Sequence, residues 1–386
     1  MKNVLHNINY SKIGFNFLSG NHYHFVKQFD PPVGGVEQKP LTKHCSTNNT
    51  RVQSHCLIHT TKLFLLILLY LITYNPKLNS QTLIPTAETA FESQLPFNTE
   101  YIKSQGIKSI TFDIIDKKDM QVAVDKGLLN YYEFNSTGLL TRFYYTSIIK
   151  VIQKEFHSGP KYNRRKLVSN GYTYTKNEYV YDTVSTTYFY NTDYLLKLKR
   201  YNDGTYYESY YYDYTIDEKV EKEKRYKETN ISENKSEFRL GGQYLISSES
   251  YSYQTTSKNQ YKKTCLNDEG RPYKEIIYTL NDSKKSVSIN EQYTVAWITQ
   301  NSAFTYNAKG QLTKATYKSN SNGELEQLRT YDYDANDCLL TEKQFKNGIL
   351  LKEISYVTDV NKKVNSYIIR DPNEKTIRIV KLFYRY

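Results

Sequence analysis

The chain has 386 residues, enough for one large or two ordinary domains. Its mean hydropathy of −0.69 marks a water-soluble chain, while 39% hydrophobic residues exclude wholesale disorder. The formal net charge is +12 and 40 residues are Tyr, a balance that predicts a thin, wetted sheet in preference to a thick-cored globule.

Residues 1–58 differ from the rest. They carry two of the four Cys, and six of the seven His lie in residues 1–59. His22, His24, His44 and Cys45 show no metal-ligand spacing, so the segment reads as a disordered extension or a start placed too early. Residues 59–81 read as a signal peptide or signal anchor. Lys62 precedes the apolar run Leu63–Thr73 and a polar exit from Lys77 to Gln81. The run is too short for a spanning helix and has the shape of a secretory signal. No Met lies between Met1 and Met120, which keeps the anchor reading open. Either way, residues 82 onward are expected outside the cytoplasm: secreted, periplasmic or at the cell surface. That part carries 44 basic and 38 acidic residues, so much of the basic excess belongs to the tail.

Residues 82–125 form a short N-terminal segment, with a helix expected at Thr86–Ser93 and a strand at Ile107–Ile115. Asp113, Asp116, Asp119 and Asp125 lack calcium-loop spacing and read as solvated loop acids. From residue 126 to 386 a Tyr-rich hairpin domain follows. Period two through Tyr206–Tyr214 predicts Tyr206, Tyr210, Tyr212 and Tyr214 on one face, a candidate binding surface for a protein or a glycan. The alternative is that such rows simply hold the sheet together. The mixed run Glu218–Arg225 reads as a solvated, self-neutralising strand edge. Acids accompany the aromatics throughout, so nucleic acid is not an expected partner.

The clearest pattern is Phe304–Tyr356, an even beat of strand and turn. Its turns end at Gly310, Gly323, Asp337 and Gly348, which lie 13, 14 and 11 residues apart. Asn-Gly pairs specify two-residue hairpins, and the four-residue breaks need a left-handed residue at their end. Weaker copies stand upstream at Phe134–Arg142, Tyr190–Lys197 and Leu266–Lys274, each aligning with Tyr306–Lys314. The shared pattern is an aromatic, Asn or Asp, two polar residues, Gly, any residue and Leu. It resembles the YD repeats of the RHS family and, more loosely, MORN-type hairpin repeats, over roughly residues 130–357. That resemblance implies a secreted or surface bacterial context and a stack of hairpins.

Catalytic signatures are missing. His157 is the one His after residue 59, and no nucleophile elbow, phosphate loop or zinc-protease motif occurs. No catalytic residue, cofactor or metal site is therefore assigned. Cys265 and Cys338 read as free structural thiols or as a disulfide. The expected architecture is all-β: a meander of antiparallel β-hairpin repeats forming an extended twisted sheet or open β-solenoid behind a disordered tail. The expected function is non-enzymatic binding or scaffolding at the cell envelope, with membrane contact only through residues 62–73 if they are not cleaved. Two other readings stand beside it. One is an outer-membrane β-barrel, from the alternation Val380–Tyr386 that closes the chain. The other is a glycan-active enzyme using Asp or Glu pairs in a Tyr-lined cleft.

Overall fold

The computed structural model describes residues 81–386 except 119, 164, 165, 170, 205, 235, 236 and 322. The expectations for residues 1–58 and for residues 59–80 lie outside the described residues. Residues 81–106 contain one short helix, α1 (Thr99–Ser104), capped by Asn98, whose Oδ1 accepts from the Tyr101 amide at 3.3 Å. Thr86–Ser93, expected as a helix, makes only a turn, with the Thr86 hydroxyl accepting from the Thr89 amide. The Thr86 and Thr89 side chains compete for the backbone bonds a helix would need.

Strands follow without interruption. The first are β1 (Ser109–Lys118), β2 (Val124–Phe134), β3 (Leu140–Ser158), the small pair β4 (Lys161–Asn163) and β5 (Lys166–Ser169), and β6 (Tyr172–Tyr190). Next come β7 (Leu196–Asn202), β8 (Tyr207–Tyr214), β9 (Val220–Asn230), β10 (Leu240–Ser257), β11 (Gln260–Leu266), β12 (Pro272–Leu280) and β13 (Ser286–Tyr293). The last seven are β14 (Thr299–Tyr306), β15 (Leu312–Ser319), β16 (Leu325–Tyr333), β17 (Leu339–Lys346), β18 (Ile349–Thr358), β19 (Val364–Asp371) and β20 (Thr376–Arg385). Apart from β4 and β5, each strand pairs antiparallel with the next, and β20 returns to β1 from Ser109↔Arg385 to Lys118↔Thr376. The result is a closed barrel of 18 strands.

This corrects the expected architecture. The all-β meander of hairpins is there, but it is neither an extended sheet nor an open solenoid, because its first and last strands bond over ten residue pairs. Closure removes the unpaired backbone that an open array leaves at both ends. The run Glu218–Arg225 is not an edge either. It lies mostly in β9, bonded on both sides by β8 and β10.

The turns explain why the hairpins form. At one rim, Asn135, Asn191, Asn307, Asp334 and Asp359 each fold their side-chain oxygen onto the amides two and four residues on, at 2.8–3.0 Å. The fourth residue of each turn is left-handed: Gly138, Tyr194, Gly310, Asp337 and Lys362. Tyr194 and Lys362 show that the Asx side chain enforces this shape even without Gly, against the usual steric preference. Asn281 does the same with Lys284 left-handed, and Thr215 with Glu218. Seven hairpins at this turn rim thus share one design. Asn267 builds the same turn at the opposite rim.

The barrel interior is packed. Residues 81–106 lie inside it toward the turn rim, where Gln81 accepts from the Leu339 amide at 2.7 Å and Thr82 from the Val364 amide at 3.3 Å. Gln94 donates to the Tyr188 hydroxyl across the lumen, and Arg329 and Tyr331 donate to the carbonyls of Glu92 and Ala90. Phe97 meets Phe112, Tyr132 and Phe134 edge-on, with ring centroids 4.8–6.4 Å apart. Inward residues of nearly every strand join this plug in one hydrophobic cluster.

Candidate functional site: lumen and outer wall

The tyrosines of the wall have a structural task that the sequence pattern alone did not disclose. Beside each turn-rim hairpin the register shifts by a bulge, which leaves a carbonyl out of the ladder. A phenol from a neighbouring strand then donates to that carbonyl: Tyr190 to Leu140, Tyr214 to Leu196, Tyr253 to Val220, Tyr306 to Ser286, Tyr333 to Leu312 and Tyr384 to Val364, all at 2.5–2.9 Å. These six form a collar inside the turn rim. Phe would fill the same space and leave the carbonyl unpaired. Tyr333→Phe is therefore expected to destabilise the protein by about 1 kcal/mol, read as a lower urea midpoint at unchanged slope. An unchanged midpoint would mean that water already serves the carbonyl.

The predicted binding row is corrected by the same geometry. Tyr210, Tyr212 and Tyr214 turn into the barrel, where Tyr212 is buried and Tyr210 donates to Glu208. Burial pushes all three phenols well above their ordinary pKa, and Glu223 adds to this at Tyr212 and Tyr214. Tyr206 sits half-buried beside the opposite rim, with the Lys227 ammonium 4.3 Å from its ring centroid. The four do not form an exposed row. They brace the wall.

Charged groups are enclosed in two places. Inside, Glu342 accepts from Arg329, Gln344 and Tyr356, Lys274 pairs with Glu291 at 3.5 Å, and Lys263 sits 3.6 Å over the Tyr251 ring. Burial lowers the Lys263 pKa. On the outer wall, Glu228 is fully buried and accepts from Ser209, Tyr211, Arg200 and Gln243 at 2.6–2.9 Å. Each of these carboxylates is engaged in a local network and none lies in an open cleft. His157 is held by Thr173, Nδ1 to hydroxyl 2.9 Å, near the end of the long β3–β6 hairpin. Cys265 and Cys338 are both buried and unbridged, their thiols raised by burial. Among the described residues, no three His, Cys, Asp or Glu gather as a metal site. Asp116 is held below its ordinary pKa, where burial is outweighed by Arg378 and Lys126.

Outside this patch the outer wall is polar at mid-height. Period two places Ile276, Tyr317, Ile354 and Val380 inside, and Glu275, Lys318, Glu353 and Lys381 on the outer face. Outer charges pair across strands: Lys262 with Glu275 at 3.0 Å, Lys318 with Glu326 at 3.4 Å and Lys343 with Glu353 at 3.9 Å. At mid-height the outer face is thus wetted, although apolar side chains such as Phe189, Leu340, Val357 and Phe383 are exposed as well.

An uncharacterised protein family matches residues 240–380, which run from β10 into the first half of β20. No curated protein matches the chain. Among solved structures, a porin-like protein from Bacteroides uniformis is similar at 13% identity, over 72% of this chain and 98% of that one, with a TM-score of 0.29. The TcdB2–TccC3 toxin complex is similar at 10% identity over 66% of this chain, and the Tc holotoxin pore of Photorhabdus luminescens at 11% over 64%, with TM-scores of 0.24 and 0.22. This chain spans only 16% and 14% of those two chains. The matching family is described only as uncharacterised, and nothing in it supports the YD-repeat, RHS-like or MORN resemblance. The recurrent turn belongs to the hairpins of a closed barrel.

Proposed function

We propose that the chain is a non-catalytic β-barrel of the cell envelope, acting as a rigid binding or scaffolding body. Ring closure carries this reading: it favours the barrel alternative, raised from the C-terminal alternation, over an open repeat scaffold. Two features support a particular placement of the barrel. Porins of 16–18 strands keep an aqueous lumen, whereas here residues 81–106 and the inward aromatics occupy it. A lipid-facing wall should be apolar, since one Lys or Arg at mid-membrane costs about 2–4 kcal/mol. Lys318, Lys343 and Lys381 on the outer face argue for a wall in water. The reading is therefore a sealed barrel resting at a membrane surface, not a conduit through it.

Fractionation tests the placement once N-terminal sequencing has located the mature start. A start near residue 81, with release from envelopes by high salt, is the expected result. A barrel with that start that survives alkaline carbonate and yields only to detergent would replace this reading with the spanning outer-membrane barrel.

A further inference from the structure

The hairpin of β3 and β6 is unlike the others. Both strands run 19 residues, yet β2 pairs with β3 only as far as Tyr145 and β7 with β6 only as far as Ser185. From Ile148↔Tyr181 to Ser158↔Tyr172 the two strands pair with each other alone. These ten pairs run roughly 30 Å beyond the last residues that β2 and β7 pair with, the base braced on β2 where the Tyr181 hydroxyl donates to the Lys126 carbonyl. A bare two-stranded ribbon is marginal in water, and this one also exposes apolar groups. Phe156, Tyr172 and Tyr174 share one face near its end; Phe156 stacks on Tyr174 at 5.6 Å with rings 18° apart, and Tyr172 lies 5.6 Å from Tyr174. They remain 40%, 64% and 45% exposed, and Ile149 and Val151 nearer the barrel are exposed as well.

Charge identifies what would cover them. Residues 148–181 hold seven Lys or Arg and two acids, an excess of +5 in a chain of +12. One of the acids, Glu178, is paired with Lys154. Residues 159–171, which join the two strands, contain Lys161, Arg164, Arg165 and Lys166 and no acid. Aromatic rings among cations suit the interface of an anionic bilayer, where rings settle at headgroup depth and each basic residue adds attraction. Nucleic acid would call for rings spaced along a groove to take successive bases, whereas these rings stack on one another at one end. We propose that the β3–β6 hairpin is an arm that docks the barrel onto an anionic lipid surface, with Phe156, Tyr172 and Tyr174 entering the headgroup layer. The proposal rests on the envelope reading and names the surface that reading requires.

A single reporter tests it in the full chain. Trp297 is the sole Trp, 83% exposed in the β13–β14 turn, which the ring places far from the arm. In Trp297→Phe/Phe156→Trp, phosphatidylglycerol-containing vesicles should shift the tip emission to the blue. Phosphatidylcholine vesicles should not, and Trp297 of the unmodified protein should stay unshifted with both. Adding Lys150→Glu, Lys154→Glu and Lys176→Glu should weaken binding about fivefold or more per site. A tip that stays wet beside anionic vesicles while circular dichroism shows an intact sheet would overturn the proposal. So would a shift produced equally by uncharged vesicles, or only by a single-stranded oligonucleotide. Because the readout sits on the arm, residues 62–73 cannot mimic it. An envelope-bound protein with a wet tip loses the arm alone, whereas a lipid-seeking tip on a protein that fractionates away from the envelope loses the envelope reading.

Discussion

Arg200→Ala is expected to destabilise the protein by about 3–5 kcal/mol, because it strands a buried carboxylate. Arg200 Nε lies 2.9 Å from Glu228, and its guanidinium lies 3.7 Å from the Phe238 ring centroid. Cross-strand register brings the partners together on the outer face: Arg200 stands opposite Ser209, Tyr207 opposite Glu228, and Glu228 opposite Gln243. Burial alone would raise the Glu228 pKa, but the hydrogen bonds of Ser209 and Tyr211, the charge of Arg200 and the amide of Gln243 together hold it below its ordinary value. A lowered carboxylate pKa contributes stability above the unfolded value, and that contribution is lost as pH falls through the folded value. In Arg200→Ala the main counter-charge is gone, so the deficit relative to the parent should be widest near neutrality and shrink below about pH 4.5. Adding Glu228→Gln should restore part of the loss at neutral pH, since it removes the stranded charge. Urea midpoints at pH 7 and pH 4 check both signs. A deficit that is constant with pH would mean that Arg200 acts by packing between aromatic rings and not by charge.

Phe112→Ala should cost about 3–5 kcal/mol, the range for a large buried aromatic. Phe112 is fully buried on β1, the strand that closes the ring, and it touches three elements at once. Its ring centroid lies 4.9 Å from Tyr132 on β2, 6.1 Å from Tyr367 on β19 and 6.4 Å from Phe97 of the plug. A void there loosens the seam and the plug together. Limited proteolysis should accordingly show faster cleavage within residues 81–106 of the variant, alongside a lower denaturation midpoint. A loss under about 1 kcal/mol, with cleavage unchanged, would show that the lumen is not packed against the seam.

The sequence was legible wherever a few neighbouring residues decide the outcome. Asn307 to Gln311 and Asp334 to Cys338 carry their turn chemistry within five residues, and the structure bears out the left-handed Gly310 and Asp337. The same logic covers the copies at Asn135, Asn191 and Asn267. Thr215 and Asn281 escaped notice because their left-handed residues are Glu218 and Lys284, not Gly. Period two also separated the two faces of the Tyr206–Tyr214 strand. What it could not supply was which face looks inward, because aromatic residues occupy both.

Taken alone, the sequence determined an all-β chain of short antiparallel hairpins, their turns, and the absence of a recognisable catalytic motif. These rest on side-chain-to-backbone bonds and alternation, which act over two to five residues. Only the tertiary structure decided that β1 meets β20, that residues 81–106 enter the lumen, that the Tyr phenols satisfy bulge carbonyls, and that Arg200 reaches Glu228. Ser109 and Arg385 lie 276 residues apart in the chain. A hairpin meander has the same local pattern whether its ends meet or not. Closure depends on twist and stagger summed over 18 strands, a quantity no single hairpin carries.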